Sequence, residues 1–322
     1  MTPLVRMPLA LVALAAMQGV ALAQDYPSRP VRIISASAAG GISDIFMRPV
    51  ADALQKRWGQ PVVIENRPGG NFNIGARACA EAPPDGYTIC LMSNEAVTYN
   101  LYTYKNLPFD PETGVVPLTN LFFIIQSLAV STDLGANSVA DLVAIAKARP
   151  KTLSYSSPAV PLVLFMENLN RAHGIDLVKV PFKGGSDAIN GVLTGITPIT
   201  FVGIGNMVAH LRSGTMKGLL IDSESRSKLF PEIPTVTEYG YKDPLTRSYF
   251  ALYAPAGTPK AQLDKIAADV RAIAGDPQFQ ERNAIQRGIE PVLNTPDEFA
   301  AYLKQDRINA KRVVEAAGML PQ

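Results

Sequence analysis

The sequence predicts an α/β protein with parallel sheets flanked by helices, divided between two domains. Three observations carry this expectation. Short β-branched apolar runs alternate with segments of helical period from early in the chain. Glycine-rich connections follow several of the strand-like runs. The chain has 322 residues, 47 % of them hydrophobic and 18 % charged, which is globular and more than one core usually serves.

The first βα unit joins a strand at Val31 to Ser35 with a helix from Ser43 to Trp58, where Phe46, Val50, Leu54 and Trp58 recur at i, i+4 spacing. It repeats with strand Val62 to Glu65, helix Ile74 to Ala82 and, after the Pro83-Pro84-Asp85-Gly86 turn, strand Tyr87 to Met92. A second series starts with the apolar segment Leu118 to Val130 and a helix opened by Ser138, with Asp141 three residues on. Strands Leu153 to Ser156, Val178 to Phe182, Ile199 to Val202 and Met216 to Asp222 follow, with helices Leu162 to His173 and Ser186 to Leu193. Tyr249 to Tyr253 is a further apolar strand, Pro259 opens a helix, and Thr295-Pro296-Asp297-Glu298 opens another with a capping-box pattern. The two long apolar strands suit a chain that crosses into a second domain and returns, giving 24–124 with 248–322 as one domain and 125–247 as the other. No internal repeat is visible.

The first 23 residues read as an export leader: Arg6 is the positive region, Leu9 to Val20 the apolar stretch, and Ala21-Leu22-Ala23 the cleavage site. Cleavage after about Ala23 predicts a periplasmic product, and no cysteine follows to accept a lipid anchor. The 30 basic and 28 acidic residues, less Arg6, nearly balance, which argues against nucleic-acid binding. In an oxidising compartment Cys79 and Cys90 can bridge. A helix and the next strand usually hold their backbones too far apart for that, so two buried thiols are the more expected state.

Ser35 to Asp44 is a small-residue loop at the carboxyl end of the first strand, where the first N–H groups of the next helix favour an anion. An ordinary tight turn capped by Ser43 or Asp44 explains it equally well. Asn66 to Gly75 is a similar connection, in which Asn71 and Asn73 are candidate donors or plain turn formers. Ser93-Asn94-Glu95 ends the third strand on the same rim, and Glu95 would repel an anion unless turned away. In the second series Ser156, Ser157, Lys183 and Gly184 end consecutive strands, and Lys183 is a candidate positive charge or a solvated turn lysine. His173 and His210 belong to no catalytic motif, no metal-ligand cluster appears, and no cofactor is expected. An exported enzyme acting on a small acid is the alternative.

Taken in order, Tyr26-Pro27-Ser28-Arg29-Pro30-Val31-Arg32, Gly40-Gly41 with Asp44, Gly59 to Gly69, Asn73-Ile74-Gly75-Ala76 and Pro84-Asp85-Gly86-Tyr87-Thr88 are the first landmarks of a resemblance. Leu107 to Pro111, Val180 to Gly184, Pro231 to Val236 and Ala254 to Pro259 extend it. The chain resembles the substrate-binding receptors of tripartite tricarboxylate transporters, the Bug family, over essentially its whole mature length. The resemblance implies a type II-like periplasmic-binding-protein fold, two sheets joined by crossing strands, in a monomer. It also implies a small carboxylate ligand and a membrane permease or sensor as partner. Ligand contacts carry over to Ala38, Ala39, Gly41, Ser43 and Asp44, and to Ser156 and Ser157 opposite. Asn71, Asn73, Ser93, Lys183 and Gly184 complete the expected set. The sequence departs from its relatives in a first loop without proline or aromatic residue, in a shorter loop after Ser157, and in Val202-Gly203 where Asp-Asn is common. A bulkier, partly apolar ligand is the expectation from those departures, or a receptor whose binding role has drifted.

Overall fold

The computed structural model describes residues 26–157, 160–182, 185–240 and 247–321. The leader and its cleavage site, and Lys183 and Gly184, lie outside the described residues.

Eleven strands are distributed over two sheets among the described residues. The first sheet holds β1 (Val31–Ser35), β2 (Val62–Asn66), β3 (Thr88–Ser93), β4 (Val115–Ile124), β10 (Tyr249–Pro255) and β11 (Ile289–Pro291) in the order β11-β4-β10-β3-β1-β2. The second holds β5 (Gln126–Ser131), β6 (Ser154–Ser156), β7 (Val178–Lys179), β8 (Ile199–Gly203) and β9 (Met216–Ile221) in the order β7-β6-β8-β5-β9. The two orders repeat one plan. Three parallel strands run second, first, third, and then comes a strand arriving from the other sheet, antiparallel to both of its neighbours. The arriving strands are β10 in the first sheet and β5 in the second.

Each sheet has its own core. Phe46, Val50 and Leu54 on helix Ile42–Trp58 pack with Ile33, Leu91 and Phe122 on one face of the first sheet. Tyr249, Tyr253, Met92 and Phe299 fill its other face. In the second sheet Leu128, Tyr155, Phe165 and Phe201 form one core, and Ala129, Ile189, Val202 and Met207 the other. The helix starts carry their signals. The Ser138 hydroxyl accepts from the Asp141 N–H at 3.1 Å, and Thr295 with Glu298 closes a complete capping box on helix Pro296–Ala316.

Three expectations change. The apolar segment from Leu118 to Val130 is two strands broken at Ile125, where the chain passes from one sheet to the other. The strand expected over Val178 to Phe182 stops at Lys179, since Pro181 has no N–H to extend the ladder. Cys79 and Cys90 are bridged, with 5.9 Å between their Cα atoms. The eight-residue helix Asn73–Ala80 lies directly against β1 and β3, because Gly75 carries no side chain: a Cβ there would stand 2.4 Å from Ala36 Cα. Helix and strand therefore come closer than the usual layer spacing.

At the crossover, the Ile125 carbonyl accepts from Ile204 N–H at 2.8 Å, and its N–H donates to the Gly288 carbonyl at 3.0 Å. Gln126 N–H donates to buried Asp222 Oδ1 at 2.7 Å, and Arg247 pairs with Glu290 at 2.7 Å while lying over the Phe123 ring. Burial pushes the Asp222 carboxyl up to about 6, against the pull of Arg247 and the Gln126 N–H.

Candidate functional site

The loop after β1 is shaped by one carboxylate. Asp44 is 1 % exposed. Its Oδ2 accepts from Gly40 N–H at 2.9 Å and Arg48 Nε at 2.8 Å, and its Oδ1 from Arg48 Nη2 at 2.9 Å and Asn66 Nδ2 at 3.0 Å. Burial alone would raise this carboxyl, but the Arg48 guanidinium, the Gly40 N–H and the Asn66 amide together hold it below the usual carboxylate range. Asp44 thus acts on the loop and leaves no free oxygen pointing outward. Ser43 is likewise turned in: its hydroxyl meets Ser37 at 2.6 Å, and Ser37 meets Ser35 at 3.0 Å. What the loop offers outward is backbone. Ala38, Ala39 and Gly40 are exposed and Gly41 is partly so. The first helical bond runs from Ile45 N–H to Gly41 O, so the N–H groups of Ile42, Ser43 and Asp44 have no acceptor in a preceding turn.

The second loop is fastened to the first and to the segment after β3. Asn66 Nδ2 also donates to Ser37 O at 3.0 Å. Asn71 and Asn73 form an amide cluster with Asn100: Asn71 Nδ2 donates to Asn100 Oδ1 at 2.8 Å, and Asn100 Nδ2 to Asn73 Oδ1 at 2.8 Å and Asn71 O at 2.9 Å. The two asparagines expected as ligand donors are therefore largely occupied in shaping the rim. Ser93 is 2 % exposed and its hydroxyl donates to Glu95 Oε2. Glu95 opens a stretch of π-helix from Glu95 to Tyr99, a rare form that recurs at functional sites.

Across the molecule, Ser156 is fully buried in β6 and its hydroxyl bonds Thr200 Oγ1 at 3.0 Å. Ser157 is 5 % exposed, and among the described residues its hydroxyl has no hydrogen-bond partner. Helix Val160–His173 follows shortly after Ser157 in the sequence. Its first residues reach the first sheet's rim. A cavity of about 240 Å³ is lined by Asn71, Glu95 and Tyr99 on one side, Val160 and Pro161 on the other, and Met319 from beyond the last helix. Glu95, which would repel an anion unless turned away, is part of this cavity's lining. Ala38, Ala39, Gly41 and Ser43 do not line it. Burial raises the Glu95 carboxyl above the ordinary range, although the Ser93 hydroxyl and its own N–H favour the charged form.

Sequence reading missed Arg48, Asn66 and Asn100 as builders of the rim. Arg48 stands four residues after Asp44, the spacing of a helical ion pair, and was legible. Asn100 is 29 residues from Asn71 and carried no local signal. His173 bonds the Tyr239 hydroxyl at 2.9 Å, His210 lies 3.4 Å from Thr215 Oγ1, and neither lines the cavity. Among the described residues no cluster of three metal-ligating side chains occurs and no helix is long and apolar enough to cross a membrane.

The model of the tripartite tricarboxylate transporter family receptor matches residues 46–319. The chain belongs to this receptor family. It is 32 % identical over 313 residues to a UPF0065 protein of Bordetella bronchiseptica, covering 97 % of this chain and 93 % of the relative. Among solved structures, the periplasmic binding protein BugD superposes with TM-score 0.77 at 29 % identity, covering 92 % of this chain and 100 % of that one. Rpa4515 of R. palustris, solved with adipate, gives TM-score 0.80 at 27 % identity with the same two coverages. The fold of this family receptor is thus the two-domain periplasmic-binding-protein fold, and its repeated sheet order is the type II-like arrangement that the resemblance implied.

Proposed function

We propose that this receptor captures a small organic carboxylate between two domains, 24–124 with 248–322 and 125–247, and catalyses nothing. After export and removal of the leader it works in the periplasm and hands its ligand to an integral-membrane permease of the tripartite tricarboxylate type. The observation that carries the reading is that the carboxyl-end loops of both sheets border one interdomain space. Its first-sheet side is Asn71, Glu95 and Tyr99; on the same sheet's rim, outside that lining, stand the N–H groups that open helix Ile42–Trp58, in the loop that Asp44 holds in position. A carboxylate is the anion such groups suit, with Ala38, Ala39 and Gly41 lining its approach and Ser157, Lys183 and Gly184 meeting it from the second domain. A relative solved with adipate supports this ligand class. Closure follows from the ligand completing contacts that neither half makes alone.

The test is a thermal-shift and calorimetric screen of the mature protein against aliphatic and aromatic mono-, di- and tricarboxylates. A micromolar ligand at a thousandfold excess over Kd stabilises the fold by about 4 kcal/mol, with no product formed. No shift with any acid, or turnover of one, overturns the reading.

A further inference from the structure

Glu95 has a carboxyl group facing the interdomain cavity, and no ion pair among the described residues includes it. Its one side-chain partner is the Ser93 hydroxyl. The titratable groups that feel its charge, Tyr99 on its own turn and Asp306 on the last helix, are acids themselves. The rest of the wall is Tyr99, Thr103, Tyr104, Val160, Pro161 and Met319 with the amide of Asn71, and among the described residues no basic side chain lines it.

A carboxyl group enclosed in protein is tolerated when it keeps its proton or when a cation comes to it. A purely anionic guest entering this cavity meets Glu95 as a repulsive charge, or binds beside a neutral acid and gains little from it. A guest carrying a protonated amine supplies the missing cation, and its N–H groups find in Glu95 an acceptor already held in position by Ser93. Burial raises the carboxyl above its ordinary range.

We infer that Glu95 determines specificity by accepting hydrogen bonds from a protonated amine of the ligand, so that the receptor selects amine-bearing carboxylic acids over nitrogen-free ones. This rests on the carboxylate-receptor reading above. The ligand's ammonium takes Glu95, and its body lies along the aromatic and apolar wall of the same cavity.

The experiment compares matched pairs by calorimetry on the mature protein: phenylalanine with 3-phenylpropanoate, leucine with 4-methylpentanoate, glutamate with glutarate. The expected result is that in at least one pair the amine-bearing member binds about tenfold tighter or more, and that Glu95→Gln reduces that ratio to near one while leaving the melting temperature in place. Nitrogen-free members binding as tightly as their partners, or a preference that survives Glu95→Gln, would overturn the inference and leave the carboxylate reading intact. If no acid of either kind binds, both fall. Should Glu95→Gln fail to fold, the wild-type pairs decide alone.

Discussion

The rim of the first sheet and the rim of the second border one cavity, but they are built differently. On the first, nearly every polar side chain is already bonded to protein: Asp44 to Gly40, Arg48 and Asn66, Asn100 to Asn71 and Asn73, Ser43 to Ser37. On the second, Ser156 and Thr200 close on each other and the Ser157 hydroxyl is buried with no partner. A buried hydroxyl left without a partner costs about 1–3 kcal/mol, a cost that any group able to bond it removes. The side chains of the first rim are therefore a template largely bonded within the protein, Glu95 excepted. The second keeps a buried hydroxyl with no partner among the described residues.

The sharpest way to break the contrast is to spoil the template. Gly75→Ala places a Cβ 2.4 Å from Ala36 Cα and 2.9 Å from Arg67 O, so helix Asn73–Ala80 must lift from β1. Stability should fall by about 3 kcal/mol or more in urea denaturation, and ligand heat should vanish with it. An unchanged midpoint would mean that the rim is softer than its bonding implies.

A somewhat smaller effect probes what lies beneath the same rim. Burial pushes the Asp306 carboxyl up to about 7, despite the hydrogen bond from Tyr249, from an ordinary value near 3.8. The folded state then holds this proton more tightly than the unfolded chain. Its contribution is full below the unfolded value and is lost as pH rises through 7. Between pH 5 and pH 8 the protein should lose about 2–3 kcal/mol from this group, and Asp306→Asn should flatten the fall. Parallel pH profiles for the two proteins, followed by thermal melts, would assign the slope to other groups.

The smallest effect sharpens the comparison from the other side. Ser157→Ala removes a hydroxyl that bonds nothing, so stability should stay within about 1 kcal/mol of the parent or rise slightly, while ligand affinity drops about tenfold. A clear loss of stability in the ligand-free protein would show that the second rim, too, is finished in advance.

The parts legible in the sequence were those whose cause is local. Alternating strand and helix, the Ser138 cap and the Thr295 capping box each rest on residues within a few positions of one another. The loops at the strand ends followed from the same alternation. The repeated sheet order was not legible, because it is a pattern of pairing between distant strands and leaves no repeat in the residues. Nor was the disulfide, whose feasibility depends on how closely Gly75 lets a short helix seat. At the first loop, Asp44 stood in the sequence as a ligand contact or a cap of the turn, and only its four hydrogen bonds, two of them from Arg48 and one from Asn66, show that it faces inward. Glu95 was read as an obstacle to an anion; its position in the cavity wall is set by the fold and by Met319, which arrives from the far end of the chain.

The cross-link between Cys79 and Cys90 has a mechanical consequence. One end of it is in the helix that carries Asn73, and the other is in the strand that runs out to Ser93 and Glu95. A push delivered to the amide side of the opening is transmitted through sulfur to the acid side, so the two flanks cannot spread apart independently. That edge of the first sheet is therefore braced against spreading by a covalent tie.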